Sequence, residues 1–322
     1  MQRNRRKFLK MMAIGTGTSL GVGTYWISTS NRWMARVARQ LMADAKRDVL
    51  SAPVTPQPAK WSDNEVTMTW IGHTTVLINF YGLRILTDPA FSNRVGIQFG
   101  LGTAGPKRHI APALKMKDLP PIDLVLLSHA HMDHMDMPSL GRLRKAPLVV
   151  TAKATQDILE GIPFKEVREL AWGEKTVMKN GGGDLEISAF EVKHWGERWP
   201  KKIERGYNGY ILKRDGKSIV FGGDTANTPH FAELKSKGPF DLAIMPIGAY
   251  QPWIRSHCNP EEALAMANVA GARYILPVHH QTFKLSEEPM NEPIERLQEA
   301  LSDEPERLAL KQVGETFALP KG

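Results

Sequence analysis

Within Leu127-Ser128-His129-Ala130-His131-Met132-Asp133-His134-Met135-Asp136, three histidines and an aspartate fall in the pattern H-x-H-x-D-H. The chain has ten histidines in 322 residues, so a six-residue window would hold about 0.2 of one by chance. Neutral imidazole nitrogens and carboxylate oxygens are the donors that suit zinc and its first-row neighbours. A polar loop whose histidines only cap or hydrogen-bond locally gains nothing from this spacing. The chemistry such a cluster points to is hydrolysis, because a bound divalent ion lowers the pKa of a water from about 15.7 toward about 7.

Ligands must be carried by something rigid. Ile122 to Leu127 is a short apolar run after Pro120-Pro121 and reads as a buried strand. The histidines begin where it ends, and Met135 to Leu143 can start a helix. A strand end projects side chains into one cavity and so preorganises a site. Three further residues able to bind metal stand in the same position after an apolar run: Phe190–Val192 precedes His194, Ile219–Phe221 precedes Asp224, and Ile275–Val278 precedes His279. His279 and His280 are neighbours, so on an extended chain they point to opposite sides and only one serves as a ligand.

Around these lie alternating runs at 66–70, 76–80 and 83–86, read as a meander, and further strands at 148–151, 185–192, 210–213, 218–221, 241–245 and 274–278. Arg214-Asp215-Gly216-Lys217 is a hairpin turn. Helices are expected at 155–160, 231–235, 260–269 and 293–301; the third has Asn259 at its N-cap, Pro260 at N1 and Glu262 at N3. The pattern alone says mixed α and β.

The formal net charge of +8 would ordinarily suggest nucleic acid. Its location argues otherwise. Residues 1–30 hold five Lys/Arg and no acid, and 31–48 hold five against Asp44 and Asp48, which leaves 32 basic and 32 acidic residues in 49–322. A nucleic-acid partner is therefore not expected. Cys258 is the only cysteine, so neither an intrachain disulfide nor a thiolate zinc cluster can form.

Asn4-Arg5-Arg6-Lys7-Phe8-Leu9-Lys10 precedes the uncharged stretch Met11 to Ile27. This resembles a twin-arginine export signal over residues 1–30, which implies the twin-arginine machinery as a partner and a periplasmic or membrane-associated location. The stretch is too short and too weakly apolar for a spanning helix. Cleavage at Ser30 and retention as an anchor both remain open. Residues 31–60 comprise an amphipathic helix and a Pro-rich linker, Ser51 to Pro58. The helix carries Trp33, Met34, Val37, Leu41, Ala45 and Val49 opposite Arg32, Arg36, Arg39, Lys46 and Arg47. It either docks on the protein or rests on anionic lipid. The hydrolase domain is expected over 61–322.

The H-x-H-x-D-H pattern resembles the signature of the metallo-β-lactamase superfamily. The flanking stretches are similar to its N-acylphosphatidylethanolamine-hydrolysing phospholipase D branch and bacterial relatives. They are Trp70-Ile71-Gly72-His73-Thr74-Thr75-Val76, Thr87-Asp88-Pro89, Gly105-Pro106-Lys107-Arg108, Leu119-Pro120-Pro121-Ile122-Asp123, His194-Trp195 and Gly223-Asp224-Thr225. Gly238 to Ala243, Pro246 to Tyr250, Pro260 to Ala263, and His279 with Thr282-Phe283 complete the series over roughly residues 61–285.

The resemblance implies an α/β fold, the αβ/βα four-layer sandwich, holding two divalent metal ions, with zinc expected and iron or manganese suited to the same donors. His129, His131 and His194 would hold the first ion. Asp133, His134 and His279 would hold the second, with Asp224 bridging. Thr282-Phe283 fixes the register that selects His279, and His280 would line the pocket. Asp133 would orient a metal-bridging hydroxide.

His257, in a segment matching a family motif, would donate a proton to the leaving group or hydrogen-bond the phosphate; a local role before the helix is the alternative. His73 reads as a partner behind the ligands or a structural residue, Asp88 as a turn or a carboxylate behind them, and His109 and His230 as surface residues.

The implied function is a phosphodiesterase of phospholipase D type acting on N-acylphosphatidylethanolamine-like phospholipids, with possible membrane-surface association. Trp195, Trp199, Tyr250, Pro252 and Trp253 would form an apolar mouth. The alternatives are a lactonase or other carboxyl-ester-type hydrolase, since the same hydroxide serves both reactions, and a non-catalytic envelope lipid-binding protein. The family's membrane-facing N-terminal region is not matched by residues 1–60.

Overall fold

Alternation along the strands sets the architecture. In the computed structural model, which describes residues 42–44, 46–100, 102–143, 145–201 and 203–320, two units are distinguished, Met1–Arg47 and Asp48–Gly322. The export signal expected at 1–30, and the expected helix as far as residue 41, lie outside the described residues.

The second unit contains, in chain order, β1 (Val66–Gly72), β2 (Thr75–Phe80), β3 (Leu83–Thr87), β4 (Ile97–Phe99), β5 (Gly102–Ala104), β6 (Leu124–Leu126), β7 (Leu148–Ala152) and β8 (Val167–Leu170). There follow β9 (Lys175–Met178), β10 (Leu185–Glu191), β11 (Asn208–Arg214), β12 (Lys217–Phe221), β13 (Phe240–Pro246), β14 (Ala272–Val278) and β15 (Thr316–Ala318). One sheet has the order β15-β1-β2-β3-β6-β7-β8 and the other β14-β13-β12-β11-β10-β9; β4 and β5 form a small separate ribbon. Strands β3, β6, β7 and β8 run parallel, as do β12, β13 and β14.

On β13, Leu242 and Ile244 belong to the core shared by both sheets. Ala243 and Met245, one residue out of phase, belong to a second core with helical residues. This is the period of two expected of a strand buried on both faces. The helices are α1 (Met137–Arg142), α2 (Gln156–Leu159), α3 (His230–Glu233), α4 (Pro260–Ala270) and α5 (Glu292–Ala300). Leu140 of α1 and Leu159 of α2 join the shared core. Ala263, Met266 and Ala267 of α4, with Ile294 and Leu297 of α5, cover the outside of the second sheet. The result is the αβ/βα sandwich. Among the described residues no helix is long and apolar enough to cross a membrane.

The hairpin expected at 214–217 joins β11 to β12, with Arg214 paired to Lys217. Asp215 and Gly216 have φ of 47° and 77°, as a type I′ turn requires. Strands β4, β5, β8, β9 and β15 escape the sequence pattern. All five stand at a sheet edge or in the small ribbon, and the partly exposed runs Val-Arg-Glu-Leu of β8 and Lys-Thr-Val-Met of β9 carry little apolar signal.

Helix α4 begins with a complete capping box: the Asn259 side chain accepts from the Glu262 N–H at 2.9 Å, and Glu262 Oε2 accepts from the Asn259 N–H at 3.1 Å. Asn259→Ala removes half of that pair, and we expect a loss of about 1 kcal/mol of unfolding free energy. Urea denaturation checks this; an unchanged midpoint would show that packing alone fixes the helix start.

Candidate metal centre

Seven loops leave strand ends at one edge of the two sheets, and the donors expected from sequence meet there. The first sheet contributes His73 after β1, Asp88 after β3 and the 128–136 loop after β6. The second contributes His194 after β10, Asp224 after β12, His257 beyond β13 and His279 after β14. Parallel strand ends are a common place for sites. The histidine loop is tied to the opposite sheet, since the Tyr210 hydroxyl donates to the Leu127 carbonyl at 2.9 Å and the Asn208 N–H to that of Ser128 at 2.9 Å. Gly223, at φ 58°, passes so close that a Cβ there would stand 2.8 Å from that of Ser128. Only glycine fits this crossing.

Two donor sets result. His129, His131 and His194 form one; Asp133, His134 and His279 form the other together with His73. In each set the donor atoms lie within 4.8 Å of one another. Asp224 stands between them, with Oδ2 at 3.1 Å from His134 Nε2, 3.2 Å from His279 Nε2, 3.8 Å from His194 Nε2 and 4.0 Å from His129 Nε2. In the first set, His131 Nδ1 lies 2.8 Å from His129 Nε2 and 3.1 Å from His194 Nε2.

The bonds behind the rings decide which nitrogens are bare. His194 Nδ1 lies 2.8 Å from the Ser256 carbonyl, which can only accept, so Nδ1 carries the proton and Nε2 keeps its lone pair. His134 Nδ1 likewise faces Asp88 Oδ2 at 2.8 Å. The Ser128 hydroxyl donates to Asp88 Oδ2 at 2.6 Å and therefore accepts from His129 Nδ1 at 2.9 Å, which again leaves Nε2 bare. One fully buried carboxylate thus sets the tautomer of a histidine in each set. Sequence reading placed Asp88 only as a turn residue or a carboxylate behind the ligands. Ser128 and the Ser256 carbonyl carried no signal at all.

Burial dominates the electrostatics. It holds His129 and His194 well below the ordinary imidazole range, and His131 and His257 at about 4. Burial also opposes charge on His134 and His279, but Asp224 and Asp133 outweigh it, raising His134 well above its usual value and His279 to about 9. The two carboxylates are held well below theirs: burial works against them, and His134 overcomes it at Asp133, as do His134 and His279 at Asp224.

Converging imidazole nitrogens, two carboxylates, and the buried atoms Asp224 Oδ1 and His279 Nε2 that find no hydrogen-bond partner among the described residues make a donor set that fits divalent ions.

The other candidates sort cleanly. His73 Nε2 bonds Asp133 Oδ2 at 2.9 Å. His257 lies among the donors, its Nδ1 3.8 Å from Asp224 Oδ2. His280 does not line the pocket: it is buried and stacks on Trp70 at 4.4 Å, because the left-handed turn at His279, φ 64°, directs the next side chain into the core. His109 and His230 belong to neither set. Cys258 is buried, its thiol donating to the Pro246 carbonyl at 3.2 Å, and burial pushes its pKa up.

A family model described as "Beta-lactamase superfamily domain" matches residues 83–280. The chain belongs to the metallo-β-lactamase superfamily. Within that superfamily it is 31% identical over 255 residues to N-acyl-phosphatidylethanolamine-hydrolyzing phospholipase D 1 of Caenorhabditis elegans, covering 74% of this chain and 71% of that protein. An uncharacterized protein of Mycobacterium tuberculosis is 31% identical over 284 residues, covering 84% of this chain and 74% of that protein. Among solved structures, the metallo hydrolase Igni18 of Ignicoccus hospitalis superposes with a TM-score of 0.60 at 21% identity, covering 80% of this chain and 99% of that one. The fold is the metallo-β-lactamase sandwich, and this branch of the superfamily is the one the flanking stretches resemble. The protein is a metal-dependent hydrolase of that superfamily.

Because Asp88 orients a histidine of each set, Asp88→Asn is expected to weaken divalent-ion binding about 10–100-fold with the fold retained. Competition against a chromophoric chelator measures this. Unchanged affinity would reduce Asp88 to a turn residue.

Proposed function

We propose that the protein is a phosphodiesterase of phospholipase D type, acting on N-acylphosphatidylethanolamine-like phospholipids and holding two divalent ions, with zinc as the metal. The observation that carries this reading is the pair of donor sets joined through Asp224, in a chain whose relatives include a phospholipase D of that name. His129, His131 and His194 would hold one ion and Asp133, His134 and His279 the other, with Asp224 between them. When bound, the ions supply Lewis acidity, which makes water nucleophilic at neutral pH and offsets charge on the phosphoryl oxygens.

The chain's own groups then divide the work. Asp133, fixed by His73 at 2.9 Å, presents its carboxylate to the attacking water and orients it. His257 lies between the rings of His194 and His279, 5.0 and 5.3 Å away. Burial keeps its imidazole neutral near neutral pH, which suits an N–H hydrogen bond to a phosphoryl oxygen better than delivery of a proton to the leaving group.

Apolar side chains are exposed on the segments next to the donors. Trp195 packs on the rings of His131 and His194 at 4.4 and 4.2 Å and is 41% exposed; Trp199, Trp253 and Ile254 are 57%, 47% and 42% exposed. Exposed tryptophans beside a site suit an acyl chain or a lipid surface, where one end of the ring is apolar and the other wet. Tyr250 is not part of this mouth. It is buried, with its hydroxyl on Glu292 at 2.7 Å.

Hydrolysis by metal-loaded protein, with Asp224→Asn as control, tests the reading. Bis(p-nitrophenyl) phosphate, an N-acylphosphatidylethanolamine and a simple lactone are offered in parallel. Turnover of both phosphodiesters that falls at least about 100-fold in the variant is expected, on the scale of losing a group that acts on the transition state. Lactone turnover alone would replace the proposal with a carboxyl-ester hydrolase, and silence on all three with metal bound would leave a lipid-binding protein.

Trp253→Ser is expected to raise KM for the lipid in vesicles severalfold while leaving KM for bis(p-nitrophenyl) phosphate as it was. An equal change for both substrates would remove Trp253 from lipid recognition.

A further inference from the structure

Between the end of β13 and the start of α4 the chain makes an excursion, 247–258, that delivers two groups to the centre. These are the Ser256 carbonyl, which holds His194 Nδ1 at 2.8 Å, and the side chain of His257. The tip of the excursion is a turn closed by the Ser256 and His257 N–H groups on the Trp253 carbonyl at 2.8 and 3.0 Å. Its far end is pinned by the Cys258 N–H on the Thr225 carbonyl at 2.7 Å, next to Asp224.

The near end is pinned differently. Gly248 lies against the His279 carbonyl, where a Cβ would stand 2.3 Å from the oxygen. Ala249 then takes a left-handed φ of 65°, a conformation that residues with a Cβ hold only when their surroundings enforce it.

What enforces it is a carboxylate. Glu288 is 3% exposed. Its Oε1 accepts the Ala249 N–H at 2.6 Å and the Ser286 hydroxyl at 2.5 Å, and its Oε2 accepts the Gln251 N–H at 3.0 Å. The backbone answers in the other direction, the Glu287 N–H donating to the Gln251 carbonyl at 2.8 Å. A carboxylate taken out of water is costly unless its lone pairs are filled. Three donors aimed at Glu288 fill them only when the chain from Ala249 to Gln251 holds this one path.

We infer that Glu288 is a positioning residue for the metal centre. It clamps the root of the 247–258 excursion and through it sets the Ser256 carbonyl behind His194 and the place of His257. The inference rests on reading the cluster as a metal centre, and it adds a buried group that touches none of the donors itself. Its consequence is specific: loss of the clamp loosens the His194 side of the centre before the His134 side, whose rear bond runs to Asp88 on the other sheet.

The test uses the full-length protein without substrate. Wild type, Glu288→Ala and Glu288→Gln are titrated with cobalt(II), the visible spectrum is recorded, and hydrogen exchange is followed along 249–257. In Glu288→Ala we expect one of two bound cobalt ions to weaken about tenfold with a changed spectrum, and exchange along 249–257 to rise while both sheets keep their protection.

Glu288→Gln retains an oxygen for Ala249 and Ser286 and is expected to recover most of the affinity. Cobalt binding and exchange in Glu288→Ala that match wild type would overturn the inference. So would exchange that rises uniformly across both sheets in the two variants, which would make Glu288 a general packing residue. Neither readout needs turnover, so a wild type inactive on every phosphodiester would count against the proposed function alone.

Discussion

The structure depends on one electrostatic constraint: imidazoles and carboxylates gathered, buried or largely buried, at the edge of a sandwich, where water screens and solvates them poorly. Burial drives His129, His131 and His194 toward the neutral form, while Asp133 and Asp224 stay anionic against the cost of desolvation. Bare nitrogens and anionic oxygens pointing at shared volumes would repel one another in any fold that did not hold each from behind. The rear bonds from Asp88, Ser128 and the Ser256 carbonyl do that holding. They also fix which lone pair each ring presents.

No single sheet supplies enough strand ends to build this centre. The histidine loop and Asp88 belong to the first sheet, and His194, Asp224 and His279 to the second. The donors meet only because the inner faces pack, with Leu242, Ile244 and Leu276 in the same core as Val76, Ile85 and Leu126. Burying side chains of this size stabilises a fold by about 1.5–3 kcal/mol each. Strands that bury both faces thus act as the frame that keeps two half-sites in register.

How much of this was legible in the sequence follows from where each interaction lives. The 129–134 candidates could be read directly because the loop concentrates rare residue types at a spacing that suits metal donors. The remote candidates came from the family resemblance, supported by a short apolar run before each, and β10, β12 and β14 do end just before His194, Asp224 and His279. The rear bonds could not be read: Ser128 and Ser256 are common residues, and one of the contacts is made by a main-chain carbonyl that any residue carries. Edge strands such as β9 and β15 were hidden because half-exposed strands lack apolar alternation. The opposite-sides argument for His279 and His280 assumed an extended chain. The pair is instead separated by a left-handed turn, which sends His280 onto Trp70 and leaves His279 beside both carboxylates.

Two exposed apolar side chains and the donor set share one piece of backbone. The turn that exposes Trp253 and Ile254 closes on the Trp253 carbonyl and, three residues later, offers the Ser256 carbonyl to His194. Trp195 repeats this from the other side, exposed on one face and packed on His131 and His194 on the other. A molecule that presses on either tryptophan therefore presses on the orientation of a ring in the first donor set. On the proposed function, binding energy gained at these tryptophans would have a short mechanical route to the donors, the arrangement that lets remote contacts improve alignment as well as affinity. The buried carboxylate behind the excursion fits the same arrangement: a loop that orients a donor while its tip is exposed has to be held at its root.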